Sequence, residues 1–411
     1  MMWPVTALRN LVCLSDSGTW GAEAPEGAGD RILRSSNIQD GRLDLSQVAR
    51  RSIPASDIRR RQLQPGDLLV TKSSGSANLI GKCCLFVPPG DGRVYYFSNF
   101  TLRLRANLDR ADPRWLYYWL SSPYGRAALA AMNTTTSGLR NLNVGMYLSQ
   151  LVPVPHVSEQ RRIAAILDKA DAICRKRQQA LQLIDDLLRS AFLDMFGDLV
   201  TNARTWRTVS LADLLSAAPQ NGLYRHASKY GRGYPIVRID SFYDGELTGV
   251  TRLKQVELTP DEAKPYLLAE GDVLINRVNA LSFLGKSAIV RHLPAPTVFE
   301  SNMMRLRLDK SLVDRDFLVS QLGGRYVRQQ ILGRARNAVN QSSINQSDVC
   351  SLQVRLPALT LQAGFGQFKT SCRVAMQRQG VWLRSADQLQ SALFHRVFQS
   401  DPCGLGFEGG R

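Results

Sequence analysis

One spacing constrains this chain more than any other feature. Residues of its first half recur, in the same order, about 203 positions later. Trp3, Leu8 and Leu11 match Trp206, Leu211 and Leu214. RSSNIQDGRL from Arg34 matches RIDSFYDGEL from Arg238, and PGDLLV around Gly66 matches EGDVLI around Gly271. Gly81-Lys82 recurs as Gly285-Lys286, and Ser98-Asn99 as Ser301-Asn302. Asn143, Pro155, Gln160, Leu187, Phe192 and Phe196 recur as Asn345, Pro357, Gln362, Leu389, Phe394 and Phe398. So long a period means a duplicated module, not a solenoid of short repeats. A chain of 411 residues is also too long for one ordinary core.

Each copy divides in two. The first part reads as mixed α/β. Short apolar runs (DLLVTK, CCLFV, DVLINR, SAIVR) sit between Gly, Pro and Asp, and a short helix is expected at Pro113–Leu120. The second part reads as a long helix. The first is expected from Ser158, as N-cap, to Phe196, with Gly197 as the stop. The second is expected from Leu361 to Phe398, although Gly364 and Gly366 cost its first turns about 0.8–1 kcal/mol each. Apolar residues step by 4-3-4-3 in both. The first seam is Ile163, Ile166, Ala170, Ile173, Arg177, Ala180, Ile184, Leu187 and Ala191. The second is Leu361, Phe365, Phe368, Cys372, Ala375, Gln379, Trp382, Ala386, Leu389 and Leu393. Such a pattern argues for a coiled coil. Arg177 and Gln379 interrupt the two seams at matched places, either to fix register or as frayed, solvent-facing points. The expected architecture is α/β (α+β): two tandem heads, with two long helices returning antiparallel as a pseudo-twofold coiled coil. The expected divisions are 1–157, 158–198, 199–358, 359–400, and a flexible tail at 401–411.

The net charge of +17 makes an acidic polymer, nucleic acid above all, the leading partner class. Residues 1–158 carry 18 basic and 11 acidic side chains and residues 199–358 carry 21 and 14, whereas residues 159–198 carry seven of each. A polyanion is therefore expected on the heads and protein partners on the helices. No apolar run reaches membrane-span length and no signal peptide is legible. Seven scattered cysteines without a CxxC suit a reducing, cytoplasmic setting and no structural metal.

Catalytic motifs fail on inspection. AxxxxGKS from Ala280 mimics a phosphate loop but lacks its first glycine and precedes a strand pattern. PDEAK from Pro260 lacks the further carboxylates a metal nuclease needs, so Glu262 and Lys264 read as a solvated helix face. GFGQF from Gly364 is a poor cofactor loop. No Asn-Pro-Pro-aromatic run is present, and His156, His226, His292 and His395 have no partner at metal spacing.

SEQRRIAAILDKADAICRKRQQALQLIDDLLRSAFLDMFGD, from Ser158 to Asp198, resembles the central helical region of the specificity subunits of type I restriction–modification systems. QNGLYRHASKYGRGYPIVRIDSFYDG and NAVNQSSINQSDVCSLQVRLP resemble their target-recognition domains. The resemblance spans nearly the whole chain. The first head's SSGSANLIGKC is less close to the family than the second head's NRVNALSFLGKS. The resemblance implies a non-catalytic, sequence-specific reader of double-stranded DNA, with one domain for each half of a bipartite target. It implies recruitment of two modification (methyltransferase) subunits and, when present, restriction subunits. It also implies that S-adenosylmethionine, ATP and Mg2+ belong to those partners, with no cofactor and no metal on this chain. The rival reading is a non-catalytic scaffold that binds nucleic acid or membrane surfaces nonspecifically.

Arg and Lys read guanine, Asn and Gln read adenine, and Ser, Thr and Tyr hold phosphates or base edges. Loops following the expected strands are the places to present them. In the first head the candidates are Lys72, Ser73, Ser74, Ser76 and Asn78, and a second group of Thr134, Thr135, Thr136, Ser137, Arg140 and Asn141. In the second head they are Arg277, Asn279 and Ser282, then Asn337, Asn340, Gln341 and Ser342, with Asn221, Tyr224, Arg225 and Lys229 as a further polar-aromatic stretch. Base readers should sit where the copies differ, at 73–79 and 278–284. The matched Arg34 and Arg238 should serve tasks common to both copies.

Overall fold

The computed structural model describes residues 3–25, 27–127, 129, 132–136, 139–338 and 341–398. It forms two compact units, one of residues 1–178 with 381–411 and the other of residues 179–380. The boundary cuts both long helices, so each unit holds part of each. The expected tail at 401–411 lies outside the described residues.

In the first unit a four-stranded antiparallel sheet runs Cys83–Leu85, Leu68–Thr71, Thr101–Ala106, Val12–Ser17. In the second the equivalent order is Ser287–Ile289, Val273–Asn276, Met303–Leu308, Leu215–Asn221, extended past Ser287–Ile289 by Gly245–Leu247 and Phe242–Tyr243. The apolar runs DLLV, CCL, DVLI and SAI thus become strands as their patterning predicts. Parallel pairs also occur, Tyr95–Phe97 on Asp30–Leu33 and Gly245–Leu247 on Ser287–Ile289. Each unit also ties its beginning to the strand before its long helix. Val5–Ala7 pairs with Leu151–Pro153, and Arg207–Ser210 with Gln353–Leu356.

The short helix is Pro113–Ser121. Asp112 caps it by accepting from the Arg114 N–H, and Pro113 is preorganised for its first turn. The matching helix, Arg315–Gly323, is capped by Asp314. The buried face of the first packs Trp115 on Trp3 at 5.4 Å and on Phe398 at 5.0 Å, and that of the second packs Phe317 on Phe196 at 4.7 Å.

The long helices span Val157–Phe196 and Leu359–Phe398, 40 residues each. Ser158 lies inside the first turn, not at its cap, and its N–H points to His156 Nδ1. Gly197, with φ +73°, closes the first helix as expected. Gly364 and Gly366 fall within the second helix, which starts two residues earlier than the seam suggests. A Cβ on Gly366 would lie 2.8 Å from the Asp314 carboxylate, so the helix approaches that cap only with glycine there.

Within each unit, the beginning of one long helix packs beside the end of the other. In the first unit Ile163, Ala164 and Leu167 join a core with Phe394 and Phe398. In the second, Phe192 and Phe196 pack on Phe365 at 5.3 and 5.6 Å. The seam of the first helix needs correcting. Ile163, Ala170, Arg177, Ile184 and Ala191 are at least half-buried, but Ile166, Ile173 and Leu187 are exposed, and Leu167, Cys174, Leu181 and Leu188 take the alternate positions. Two apolar stripes share one edge of this helix, and periodicity does not tell which faces the core. In the second helix Leu361, Phe365, Phe368, Cys372 and Gln379 are at least half-buried, while Ala375 is exposed and Met376 is not. The side chains of Trp382, Ala386, Leu389 and Leu393 lie outside those described.

Candidate nucleic-acid interface

In each unit, polar segments more than 50 residues apart in sequence become neighbouring strands. In the first, Ser73–Ser74 pairs with Leu139–Leu142, Ser73 opposite Asn141 and Ser74 opposite Arg140, and Asn133–Thr136 pairs on the other side. In the second, Ser342–Ser343 pairs with Val278–Asn279 on one side and with Arg336–Asn337 on the other. Both small sheets continue directly from the central strands ending at Thr71 and Asn276.

The buried serine hydroxyls of these sheets are spent internally. Ser73 is buried and donates to Asn141 Oδ1 at 2.6 Å. Ser342 is buried and donates to Asn337 Oδ1 at 2.8 Å. Lys72 donates to Ser17 Oγ at 2.8 Å, and partial burial holds its ammonium below the ordinary lysine value. The matching Arg277 donates to the Ser301 carbonyl at 3.1 Å. Both cations thus brace the root of a loop. Ser76, Asn78, Arg140, Ser282, Asn337 and Gln341 are exposed, while Ser74 and Asn279 are half-buried. Asn279 accepts from the Ala280 N–H at 2.8 Å, and Gln341 bonds through its backbone across the turn to Ala338. Thr136 lies in a strand, but its side chain and those of Thr134 and Thr135 are outside those described, as are Ser137 and Asn340 altogether.

The further stretch in the second unit is mixed. Tyr224 is 75% exposed. Arg225 pairs with Glu262 at 2.5 Å, and Lys229 with Glu257 at 3.6 Å. Asn221 is half-buried, and its Oδ1 has no hydrogen-bond partner. Glu262 is more than a solvated helix face, because it closes a capping box with Thr259, whose N–H holds its carboxyl below the ordinary value.

Lys286 is no phosphate-loop lysine. It lies 4.0 Å from the Tyr243 ring and donates to the Ile239 carbonyl, and Ser287 begins a strand. Arg34 donates to the Gln47 carbonyl and Arg238 to Glu300, so these matched arginines hold the fold. Among the described residues no group of His, Cys, Asp or Glu could hold a metal ion, and no helix is long and apolar enough to cross a membrane.

Sequence reasoning missed two sets of residues that position this interface. Arg103, 1% exposed, makes a two-pronged contact with Asp16 and donates to the Arg60 and Gln62 carbonyls, and Arg105 grips Asp67. The matching Arg305 instead donates to the Leu267 and Pro265 carbonyls and to Gln220. Gln160 and Gln362, both fully buried, bind the Asp112 and Asp314 N–H groups and so fasten each long helix to its short one. The signal was in the repeat: RLRA and RLRL, and the two glutamines, recur in step.

No family model matches the chain. It is 26% identical over 351 residues to the type I restriction enzyme StySPI specificity subunit of Salmonella potsdam, spanning 81% of this chain and 73% of that protein. It is 31% identical over 195 residues to the EcoKI specificity subunit of Escherichia coli (strain K12), spanning 46% and 41%. Over most of its length the chain is thus similar to type I restriction enzyme specificity subunits. The solved S subunit of M. genitalium shares this family's fold with the chain, with a TM-score of 0.63 over 96% of each chain at 14% identity. Specificity subunits are the non-catalytic, DNA-recognising members of restriction–modification complexes, in keeping with the failed catalytic motifs.

Proposed function

We propose that the chain reads a bipartite duplex target, one half with each head. The divisions proposed for this task are recognition heads at 1–157 and 199–358 and helical spacers at 158–198 and 359–400. The reading rests chiefly on the two small polar sheets. Each gathers its unit's candidate loops at the end of a buried central strand, and their sequences, SSGSANL at 73–79 and VNALSFL at 278–284, differ between flanks that match, PGDLLV with EGDVLI and Gly81-Lys82 with Gly285-Lys286. A shared scaffold with divergent tips is what two independent readers require. The candidates at these tips are Ser74, Ser76, Asn78, Thr136, Arg140 and Asn141 in the first head. In the second they are Asn279, Ser282, Asn337 and Gln341, with Asn340, which lies outside the described residues, and the separate stretch of Asn221, Tyr224, Arg225 and Lys229 as further candidates. Lys72, Arg277, Ser73 and Ser342 shape the same loops, and Lys72 and Arg277 also supply positive charge for phosphates.

The long helices recruit two modification subunits and, where present, restriction subunits. Methyl transfer and ATP-driven cleavage take place on those partners, in the cytoplasm, and this chain binds no cofactor. The test is to map methylated adenines in a host carrying the modification subunit, with and without this chain. One split target should appear with it. Exchanging residues 73–79 for 278–284 should change one target half and leave the other. Coupled changes in both halves would refute separate readers, and an absence of sequence preference would favour the scaffold reading.

A further inference from the structure

The duplication makes the chain its own control, because a space filled in one unit is open in the other. In the first unit the short helix carries Tyr117 and Tyr118. The Tyr117 hydroxyl lies against Gly41, where a Cβ would clash with it, and Tyr118 donates to Asp168 at 2.7 Å. Burial pushes the Tyr117 phenol up to about 12. In the second unit the matched positions are Val319 and Ser320, and Gly245 stands where Gly41 stands. Two phenol rings are thereby lost from the wall, and a cavity of about 810 Å³ opens there. Its lining includes the Phe192 and Phe365 rings, Tyr326, Val319, Lys286 and Lys369. That volume is of the size that small ligands occupy.

The polar end of the space has changed sign. Asp168 accepts a phenol proton in the first unit. In the second, Lys369 reaches the matching place and donates to Ser320 Oγ at 2.8 Å, with no ion pair among the described residues. Glu246 and Asp316, the acids whose charges act on Lys369, are already engaged by Arg291 at 2.8 and 2.5 Å; Asp185, Asp198 and Asp244 also line the cavity, Asp185 in a pair with Arg189. Burial holds the Lys369 ammonium below the ordinary value, a cost that an incoming anion would offset. A Cβ on Gly245 would stand 3.1 Å from Val319 and 3.8 Å from Lys369, so glycine keeps this corner open.

We propose that the cavity of the second unit binds a small aromatic anion, its ring taking the space that tyrosine rings fill in the first unit and its carboxylate or sulfonate meeting Lys369. The aromatic character follows from the filled twin and from the Phe and Tyr walls. The charge follows from a half-buried ammonium whose neighbouring carboxylates are taken.

The test titrates the full chain with 1-anilinonaphthalene-8-sulfonate by fluorescence, then displaces it with 4-hydroxyphenylacetate. The expected result is saturable binding at one site, with 4-hydroxyphenylacetate competing and neutral 4-methylphenol competing at least about tenfold less well. Val319→Tyr with Ser320→Tyr rebuilds the first unit's filling and should abolish binding. Val319→Phe alone is the fallback should the double variant misfold, and should weaken binding about tenfold or more. Lys369→Met should remove the preference for the anion while sparing 4-methylphenol. Failure of both probes to saturate at millimolar concentration overturns the proposal, as does binding unchanged in Val319→Phe. If no small anion binds but Val319→Phe impairs assembly with the modification subunit, a partner's side chain occupies the cavity and the small-ligand assignment is wrong. Target reading by the heads can fail or survive independently of any of these results.

Discussion

Replacing Gln160 by leucine keeps most of the side-chain volume and removes only its polar end. That end makes three bonds in a fully buried place. Its oxygen accepts from the Asp112 N–H at 2.9 Å, and its nitrogen donates to the Arg110 and Pro155 carbonyls at 3.0 and 2.8 Å. Each buried backbone group left without a partner costs about 1–3 kcal/mol. Three such groups set a floor of about 3 kcal/mol on the loosening of the long helix from the head. Gln362→Leu in the second unit strands two groups, the Asp314 N–H and the Pro357 carbonyl, for a floor of about 2 kcal/mol. A chain of two units need not unfold in one step, so a global midpoint is the wrong readout. Amide hydrogen exchange resolves the local effect. Exchange at the Asp112 amide should quicken more than about a hundredfold in Gln160→Leu, and at Asp314 about thirtyfold in Gln362→Leu. Each variant should leave the other unit's amide unchanged. A change at Asp112 below about threefold would show that the glutamine clamp does not hold the helix to the head.

Asp16→Ala strands the buried Arg103 guanidinium and should destabilise the first unit by about 3–5 kcal/mol. Gln220→Ala at the matched place should cost less, because it removes one neutral amide partner of Arg305, whereas Asp16→Ala removes a two-pronged carboxylate from Arg103. Equal losses in urea unfolding would refute that ranking. Arg277→Ala should weaken DNA binding and flatten the plot of log affinity against log salt by about 0.9, as one phosphate contact is lost. An unchanged slope in anisotropy titrations at 50–200 mM salt would leave Arg277 a purely structural brace. Burial raises the Cys83 thiol from 9.0 to about 12, and Cys84 is raised as well, whereas Cys13 is exposed. Iodoacetamide at pH 8 should therefore label Cys13 in the folded chain and spare Cys83 and Cys84. The raised thiols hold their protons longer in the folded state than in the unfolded one. Their contribution to stability is thus complete below pH 9 and lost as the pH rises through about 12. Early labelling of Cys83 by mass spectrometry would contradict that burial.

Much of the architecture was legible because the sequence states it twice. Matched apolar runs at Leu68–Thr71 and Val273–Asn276 became matched central strands. Gly197 ended a helix because it alone takes a positive φ there without strain. The seam was half legible, since Ile166 and Leu167 are both apolar and only packing chooses between them. The candidate loops were found as separate stretches, and nothing in 73–78 announces its pairing with 139–142. Strand pairing is set by long-range hydrogen bonds that leave no local trace. The roles of Gln160, Gln362 and Arg103 were hidden for a related reason. A polar side chain looks solvent-bound in a one-dimensional reading until the backbone groups that consume it are brought alongside.

What the residues settled by themselves was the duplication, the alternation of head and long helix, the distribution of positive charge and the want of catalytic groups. All of these are patterns of composition and spacing along the chain. What folding alone decided was which polar groups are used inside and which are left outward. It buried Ser73 and Ser342, set Lys72 and Arg277 as braces, and left open in the second unit the space that Tyr117 and Tyr118 close in the first. The reason is that burial and hydrogen-bond satisfaction belong to neighbours in space, and residues about 200 positions apart in a repeat meet different neighbours even where their local sequences agree.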